Sequence, residues 1–253
     1  MKKKRGKIFL VFCILIGIAL ILTAVYLTKF SNRQYDVLEK ISEAVIKQRE
    51  KTKENAPEEA VDNPIDFAEL HKTNEDVSSW ILIPDKNVNN PILYAGEQYY
   101  IRRGFDEEYS YAGSLFVENE YNSRDYNDPV TIVYGHQMQD GTMFSRLEEF
   151  LSEPLTDSSE FVIYTEKEML TYRIFAAVQY SSKHILRYNN FSNKKIFDMF
   201  FKEIFEARDF ASNVDNSVNI EQGNITILST CSLESSEKRF LVMGVCVKTQ
   251  PCE

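Results

Sequence analysis

Hydrophobic and polar positions divide the chain into three parts: one unbroken apolar run, one stretch with helical spacing, and a long series of short apolar runs. The unbroken run is Ile8 to Leu27, twenty residues without a charge, about the length a helix needs to cross a bilayer. Tyr35, Leu38, Ile41, Val45 and Ile46 then recur at helical spacing, with charges on the other faces. Lys51 to Asp62 loses that period and holds Pro57, which predicts a linker. The apolar stripe before it suits either a stalk or a helix docked on the C-terminal domain.

From Asn63 onward the pattern changes. Ile65 to Asp76 is compatible with one helix. Short runs bounded by turn residues come next and predict strands at Trp80–Ile83, Pro91–Tyr94, Gly113–Val117, Val130–Tyr134, Phe161–Tyr164, Leu170–Gln179, Ile225–Thr230 and Phe240–Val247. Helices are expected at Met143–Leu151 and Lys194–Asp209. The second carries Ile196, Phe197, Phe200, Phe201, Ile204 and Phe205 on a broad apolar face, which reads as core packing. About eight strands with few helices predict a mainly β barrel or sandwich. No internal repeat and no low-complexity tract interrupts it.

Charge sharpens the division. Residues 1 to 30 hold six basic residues and no acidic one. With those six removed from 29 basic residues, 23 face 38 acidic ones, a formal charge of −15 for the remainder. An acidic body argues against nucleic acid or an anionic membrane surface as the main partner. Lys2, Lys3, Lys4, Arg5 and Lys7 precede the apolar run, and only Lys29 and Arg33 come closely after it. That asymmetry predicts a cytoplasmic N-terminus at residues 1–7, a single transmembrane signal-anchor at 8–27, an extracellular stalk and linker at 28–62, and an extracellular domain at 63–253. A cleaved leader fits less well, because Leu22 stands where a cut after Ala24 would want a small residue.

Candidate chemistry gathers at the last two strands. The Ile225–Thr230 run ends at Cys231, and Arg239 opens the next apolar run after a short polar segment. Adjacent strands joined by a short loop bring their facing ends together, so Cys231 and Arg239 are expected side by side at a sheet edge. A guanidinium beside a thiol favours the thiolate, the nucleophilic form. Of the three histidines, His136 comes directly after a strand in Tyr134-Gly135-His136, His71 lies before the strands, and His184 lies in a loop. A single histidine in such a position is more often structural than catalytic. Metal binding fits poorly, because Cys231, Cys246 and Cys252 lack paired spacing and a histidine cluster. Outside the cell, Cys246 and Cys252 are candidates for a disulfide, although Cys246 also suits a buried apolar strand.

Taken together these residues resemble the sortases, membrane-anchored cysteine transpeptidases of Gram-positive bacteria. The resemblance rests on Leu228-Ser229-Thr230-Cys231 with Arg239 opening the last strand and Tyr134-Gly135-His136 upstream. The family signature Thr-Leu-x-Thr-Cys has Ile227 at its first position here. Trp80-Ile81-Leu82-Ile83-Pro84, Tyr99-Tyr100 and Gly113-Ser114-Leu115-Phe116 extend it, and Gly135-His136-Gln137-Met138 with Gly141-Thr142-Met143-Phe144 after it looks like class B. It covers roughly residues 63 to 248.

The resemblance implies an eight-stranded sortase-type β-barrel with an N-terminal helical region and a helix before the catalytic strand. It implies that Cys231 attacks a sorting-signal peptide, that His136 moves protons, and that Arg239 holds the substrate and its oxyanion. Tyr134 and Ser229 match class B positions lining the substrate groove, with Thr230 beside the nucleophile. No metal and no cofactor is called for. The implied partners are the C-terminal sorting signal of a secreted surface protein and an amine from a cell-wall precursor or a pilin lysine. A peptidase releasing its product to water shares the Cys–His pair and is the alternative. A catalytically dead binding domain would leave the cysteine an ordinary thiol.

Overall fold

The computed structural model describes residues 12–26, 38–47, 61–206, 211–231 and 237–252, with only the backbone of Cys231. The chain divides into two compact units, residues 1–43 and 44–253. In the first, residues 12–26 form helix α1, whose apolar side chains such as Leu15, Leu20 and Ile21 are exposed. The rest of the predicted 8–27 span lies outside the described residues. Among the described residues no helix is long and apolar enough to cross a membrane. Residues 38–47 form α2, where the stripe Leu38, Ile41, Val45 and Ile46 was expected; the linker at 51–60 lies outside the described residues.

Nine strands are described in the second unit: β1 (Val77–Ile83), β2 (Val88–Ala95), β3 (Leu115–Glu118), β4 (Val130–Tyr134), β5 (Glu160–Tyr164), β6 (Glu168–Ser181), β7 (Ser212–Val214), β8 (Ile225–Cys231) and β9 (Lys238–Pro251). They pair in the order β5-β1-β2-β3-β4-β8-β9-β6, and β5 returns to β6, so eight strands close into the expected barrel. The ninth, β7, adds to the outer part of β6. It was not expected, because three polar-flanked residues give no periodic signal. Closure removes the exposed edges that an open sheet would leave for aggregation.

Two of the expected helices are shorter than the sequence suggests. Phe67–His71 is α3, capped by the Asp66 carboxylate accepting from the Glu69 amide at 2.8 Å. The Met143–Leu151 stretch is not an α-helix. Met143 takes a left-handed φ of 56°, and only Leu147–Leu151 winds, as a 3-10 turn. Its apolar residues Phe144, Leu147 and Phe150 are nevertheless buried in the barrel, so the spacing reported burial rather than helix type. Ile185–Tyr188 forms the short helix α4, and Lys194–Glu206 forms α5, within the predicted 194–209 range.

Two layers of apolar packing hold the barrel. Leu228, Phe240 and Val242 point inward with Phe161, Tyr172 and Ile81. Their neighbours Ile225, Ile227, Leu241 and Met243 point outward and are covered by Phe200, Phe201 and Ile204 of α5. Both faces of β8 and β9 are therefore buried, which is why these runs are nearly continuous in hydrophobicity rather than alternating. A one-residue slip in register would exchange the two layers. This packing fixes where the strand ends fall.

Cys246 and Cys252 are both free thiols, so the disulfide weighed for them is not formed. Burial pushes the Cys246 thiol up and the Cys252 thiol to about 11.

Candidate active site

The strand ends deliver the candidate residues to one end of the barrel. Cys231 pairs directly with Arg239 in the β8–β9 ladder, as the short connection predicted. In the parallel β4–β8 ladder, Tyr134 pairs with Ser229, and the Gly135 amide donates to the Ser229 carbonyl at 3.0 Å. A Cβ at Gly135 would sit 2.4 Å from the Leu115 side chain and 2.6 Å from that of Phe144, so these side chains pack directly on the backbone here. The turn aims His136 at the strand end. The Phe144 amide donates to the His136 carbonyl at 3.0 Å and holds the next loop down.

A cavity of about 210 Å³ opens at this edge. His136, Arg239, Tyr134, Ser229 and Thr230 all line it. The side chain of Cys231, like residues 232–236 of the β8–β9 loop, lies outside the described residues. Ser229 and Thr230 are buried, and among the described residues Thr230 Oγ1 has no hydrogen-bond partner. Arg239 is half-buried, and among the described residues its Nη1 donates weakly to the Lys238 carbonyl at 3.4 Å.

Nε2 of His136 lies 2.7 Å from the Ile101 carbonyl. Burial pulls the His136 pKa below its ordinary value, and the Arg102 and Arg239 cations pull in the same direction against that hydrogen bond. These influences favour the neutral ring, the form able to accept a proton. Tyr134 stacks on Phe116 at 5.4 Å, and its hydroxyl is buried beside the Glu118 carboxylate. Burial, then the nearby Glu118 carboxylate, pushes its pKa far up.

A second polar cluster forms the far wall of the cavity, and sequence reasoning missed it. His184 caps α4: its Nδ1 accepts from the Arg187 amide at 3.1 Å, and its Nε2 lies 2.7 Å from Glu118. Arg187 reaches Glu97 at 2.5 Å and Tyr121 at 3.2 Å. These links tie the loop after β6 to β3 and to the loop after β2. The one signal available was an acidic residue closing an apolar strand run at Glu118. His71, the remaining histidine, bonds the Val77 carbonyl at 2.8 Å and does not line the cavity.

Glu97, Glu118 and His184 also offer ligand atoms within 4.8 Å of one another. The hydrogen-bond pattern is unsuited to a cation. Nδ1 of His184 is accepting, so in the neutral ring Nε2 carries the hydrogen and has no lone pair. The Arg187 guanidinium already occupies Glu97.

Comparison with known proteins agrees with this geometry. A family model described as the Sortase domain matches residues 81–247. Sortase B of Staphylococcus aureus (strain NCTC 8325 / PS 47) is 29% identical over 188 residues, 72% of this chain and 75% of that protein. Sortase B of Listeria monocytogenes serovar 1/2a is 29% identical over 184 residues, 71% of this chain and 73% of that protein. The X-ray structure of Clostridium perfringens sortase B superposes with a TM-score of 0.59 at 25% identity, covering 72% of this chain and all of that one.

Proposed function

The chain belongs to the sortase family, as a class B-like cysteine transpeptidase that cleaves sorting signals, and we propose that Cys231, His136 and Arg239 carry the reaction. One observation supports this above the rest: the β8–β9 register pairs Cys231 with Arg239, and Arg239 shares a cavity with His136.

The chemistry then runs in two halves. Neutral His136 takes the Cys231 thiol proton, and the thiolate attacks the peptide carbonyl. The carbon–sulfur bond forms, and the oxyanion is held by the Arg239 fork, which meets charge in two places at once. The carbon–nitrogen bond breaks as imidazolium hands its proton to the departing amine. An incoming amine next attacks the thioester. His136 removes its proton, the new amide forms, and the thiolate leaves. Tyr134, Ser229 and Thr230 contact the peptide.

The finer setting is part of the same proposal. Residues 1–7 are cytoplasmic, 8–27 anchor the protein in the membrane as a single pass, 28–62 form a stalk, and 63–253 act outside the cell. The substrates are the C-terminal sorting signal of a secreted surface protein and an amine from a cell-wall precursor or a pilin lysine. The membrane span is supported by the uncharged run and the basic residues before it.

The test is to incubate the full chain with a library of sorting-type peptides, with and without triglycine or a diamine, and read the products by mass spectrometry. An amide joined to the added amine, through an adduct on Cys231, is expected. Release to water alone, unchanged by amine, would leave a peptidase instead.

A further inference from the structure

His136 is held through one ring nitrogen, and that nitrogen is not the one free to do chemistry. The Ile101 carbonyl, 2.7 Å from Nε2, can only accept. Nε2 therefore carries the hydrogen, and in the neutral ring Nδ1 has the lone pair. The carbonyl is itself pinned. The Ile101 amide donates to the Gln98 carbonyl at 3.1 Å, Ser114 donates from its amide to the Tyr100 carbonyl at 3.1 Å, and the Ser114 hydroxyl donates to the Arg103 carbonyl at 3.0 Å.

Gly113 closes this turn at φ +61°. A Cβ there would lie 2.6 Å from the Ile101 oxygen and 2.7 Å from the Tyr100 oxygen. Any other residue would be strained at that φ and would drive the Ile101 carbonyl off its place. Gly113 does not line the cavity, so its influence on the reaction passes through that carbonyl.

We propose that His136 exchanges protons with the thiol and the amines through Nδ1 alone, and that Gly113 is a positioning residue that keeps the Ile101 carbonyl on Nε2. This deepens the proposed acid–base role of His136 and rests on it. In the first half-reaction the Nδ1 lone pair takes the thiol proton as the carbon–sulfur bond forms. The imidazolium keeps Nε2–H on Ile101 and passes Nδ1–H to the leaving nitrogen as the carbon–nitrogen bond breaks. In the second half Nδ1 takes a proton from the incoming amine. Nε2 keeps its hydrogen throughout. Two cations bear on the ring, Arg102 from the same loop and Arg239 from β9, and both oppose its protonation. The carbonyl dipole offsets them, so displacing it makes the imidazolium harder to form.

The test uses the full 253-residue chain with ¹⁵N-labelled histidine. Three histidines give three ring systems, and loss of one in His136→Gln assigns the signal. The resting enzyme is expected to show His136 protonated at Nε2 and bare at Nδ1. An Nδ1–H ring, or an even mixture, overturns the proposal. Gly113→Ala is expected to mix the tautomers, lower kcat about tenfold with KM within about twofold, and move the His136 limb of the pH–rate profile to lower pH. An unchanged tautomer and profile removes Gly113 from the mechanism. Should that variant fail to fold, Ser114→Ala, which loosens the same turn, is expected to mix the tautomers to a smaller degree, and no change in it has the same meaning. Full transpeptidation by His136→Gln would instead overturn the acid–base role, whatever the tautomer.

Discussion

The barrel has two unlike flanks. On one, α5 lays Phe197, Phe200 and Phe201 against Phe191 and over the outward residues of β4, β8 and β9, with ring centroids 4.6 to 6.4 Å apart. On the other, the loops after β2, β4 and β6 meet through single polar links around a cavity, and Thr230 leaves its hydroxyl unpaired there among the described residues. The same strands run through both. Their middles are over-determined by packing on two faces, and their ends carry the candidate chemistry. Rigidity is concentrated where the register is set, and the candidate chemistry where the loops meet.

If the flanks divide the work this way, changes at the loop flank should remove activity without unfolding the protein. Changes at the helix flank should do the reverse. The largest expected effect is Cys231→Ala. Mass spectrometry of the full chain with a cleavable sorting peptide should show no thioacyl adduct, while the melting temperature stays within about 2 °C of wild type. A variant that unfolds would make Cys231 a structural residue and erase the distinction.

Phe201→Ala is the converse. This ring is 1% exposed and packs edge-on or tilted against Phe175, Phe191, Phe197 and Phe200. Its truncation should cost about 3–5 kcal/mol in urea unfolding, with turnover per folded molecule unchanged. Lost turnover at full stability would mean the helix acts on the site rather than on the register.

How far the sequence was legible obeys the same division. The doubly buried runs of β8 and β9 were readable, because burial on both faces leaves a dense β-branched and apolar stretch. Only their extents were underestimated. Lys248 to Gln250 are polar, yet they continue β9 by pairing with Met169 to Thr171 of β6, and a pairing with a distant strand leaves no local trace. The Cys231–Arg239 pairing was readable because a short loop dictates it. The His184–Glu118 link was not, since it joins residues 66 apart through a tertiary contact. Nor was the His136–Ile101 bond, whose acceptor is a backbone carbonyl and so independent of residue type. The apolar spacing at Met143–Leu151 reported burial correctly and geometry wrongly, because a left-handed residue at its start bars a regular helix.

Arg239→Lys comes next in size. A lysine keeps the charge and discards the planar fork, so kcat/KM should fall about 10²-fold with the fold intact. Near wild-type turnover would make position 239 a source of field alone and would take the oxyanion role away from it.

Glu118→Gln is the smallest change and probes why the loop flank uses charge at all. Glu118 is 1% exposed, and burial raises its pKa above the ordinary carboxylate value against the opposing influence of His184. An acid whose folded pKa is raised binds its proton more tightly in the folded state. It contributes stability below the unfolded pKa, and that contribution is lost as pH rises through the folded one. Glutamine keeps an acceptor for the Nε2–H of His184 and cannot ionise. Relative to wild type, the variant should therefore gain stability as urea unfolding is moved from pH 4 to pH 7. Its folded cavity should keep the same loop links. A gap that stays flat across this range would show that the carboxylate is no worse off folded than unfolded. The polar wall would then resemble the helix flank in being built for stability, rather than holding a buried charge in place beside the cavity.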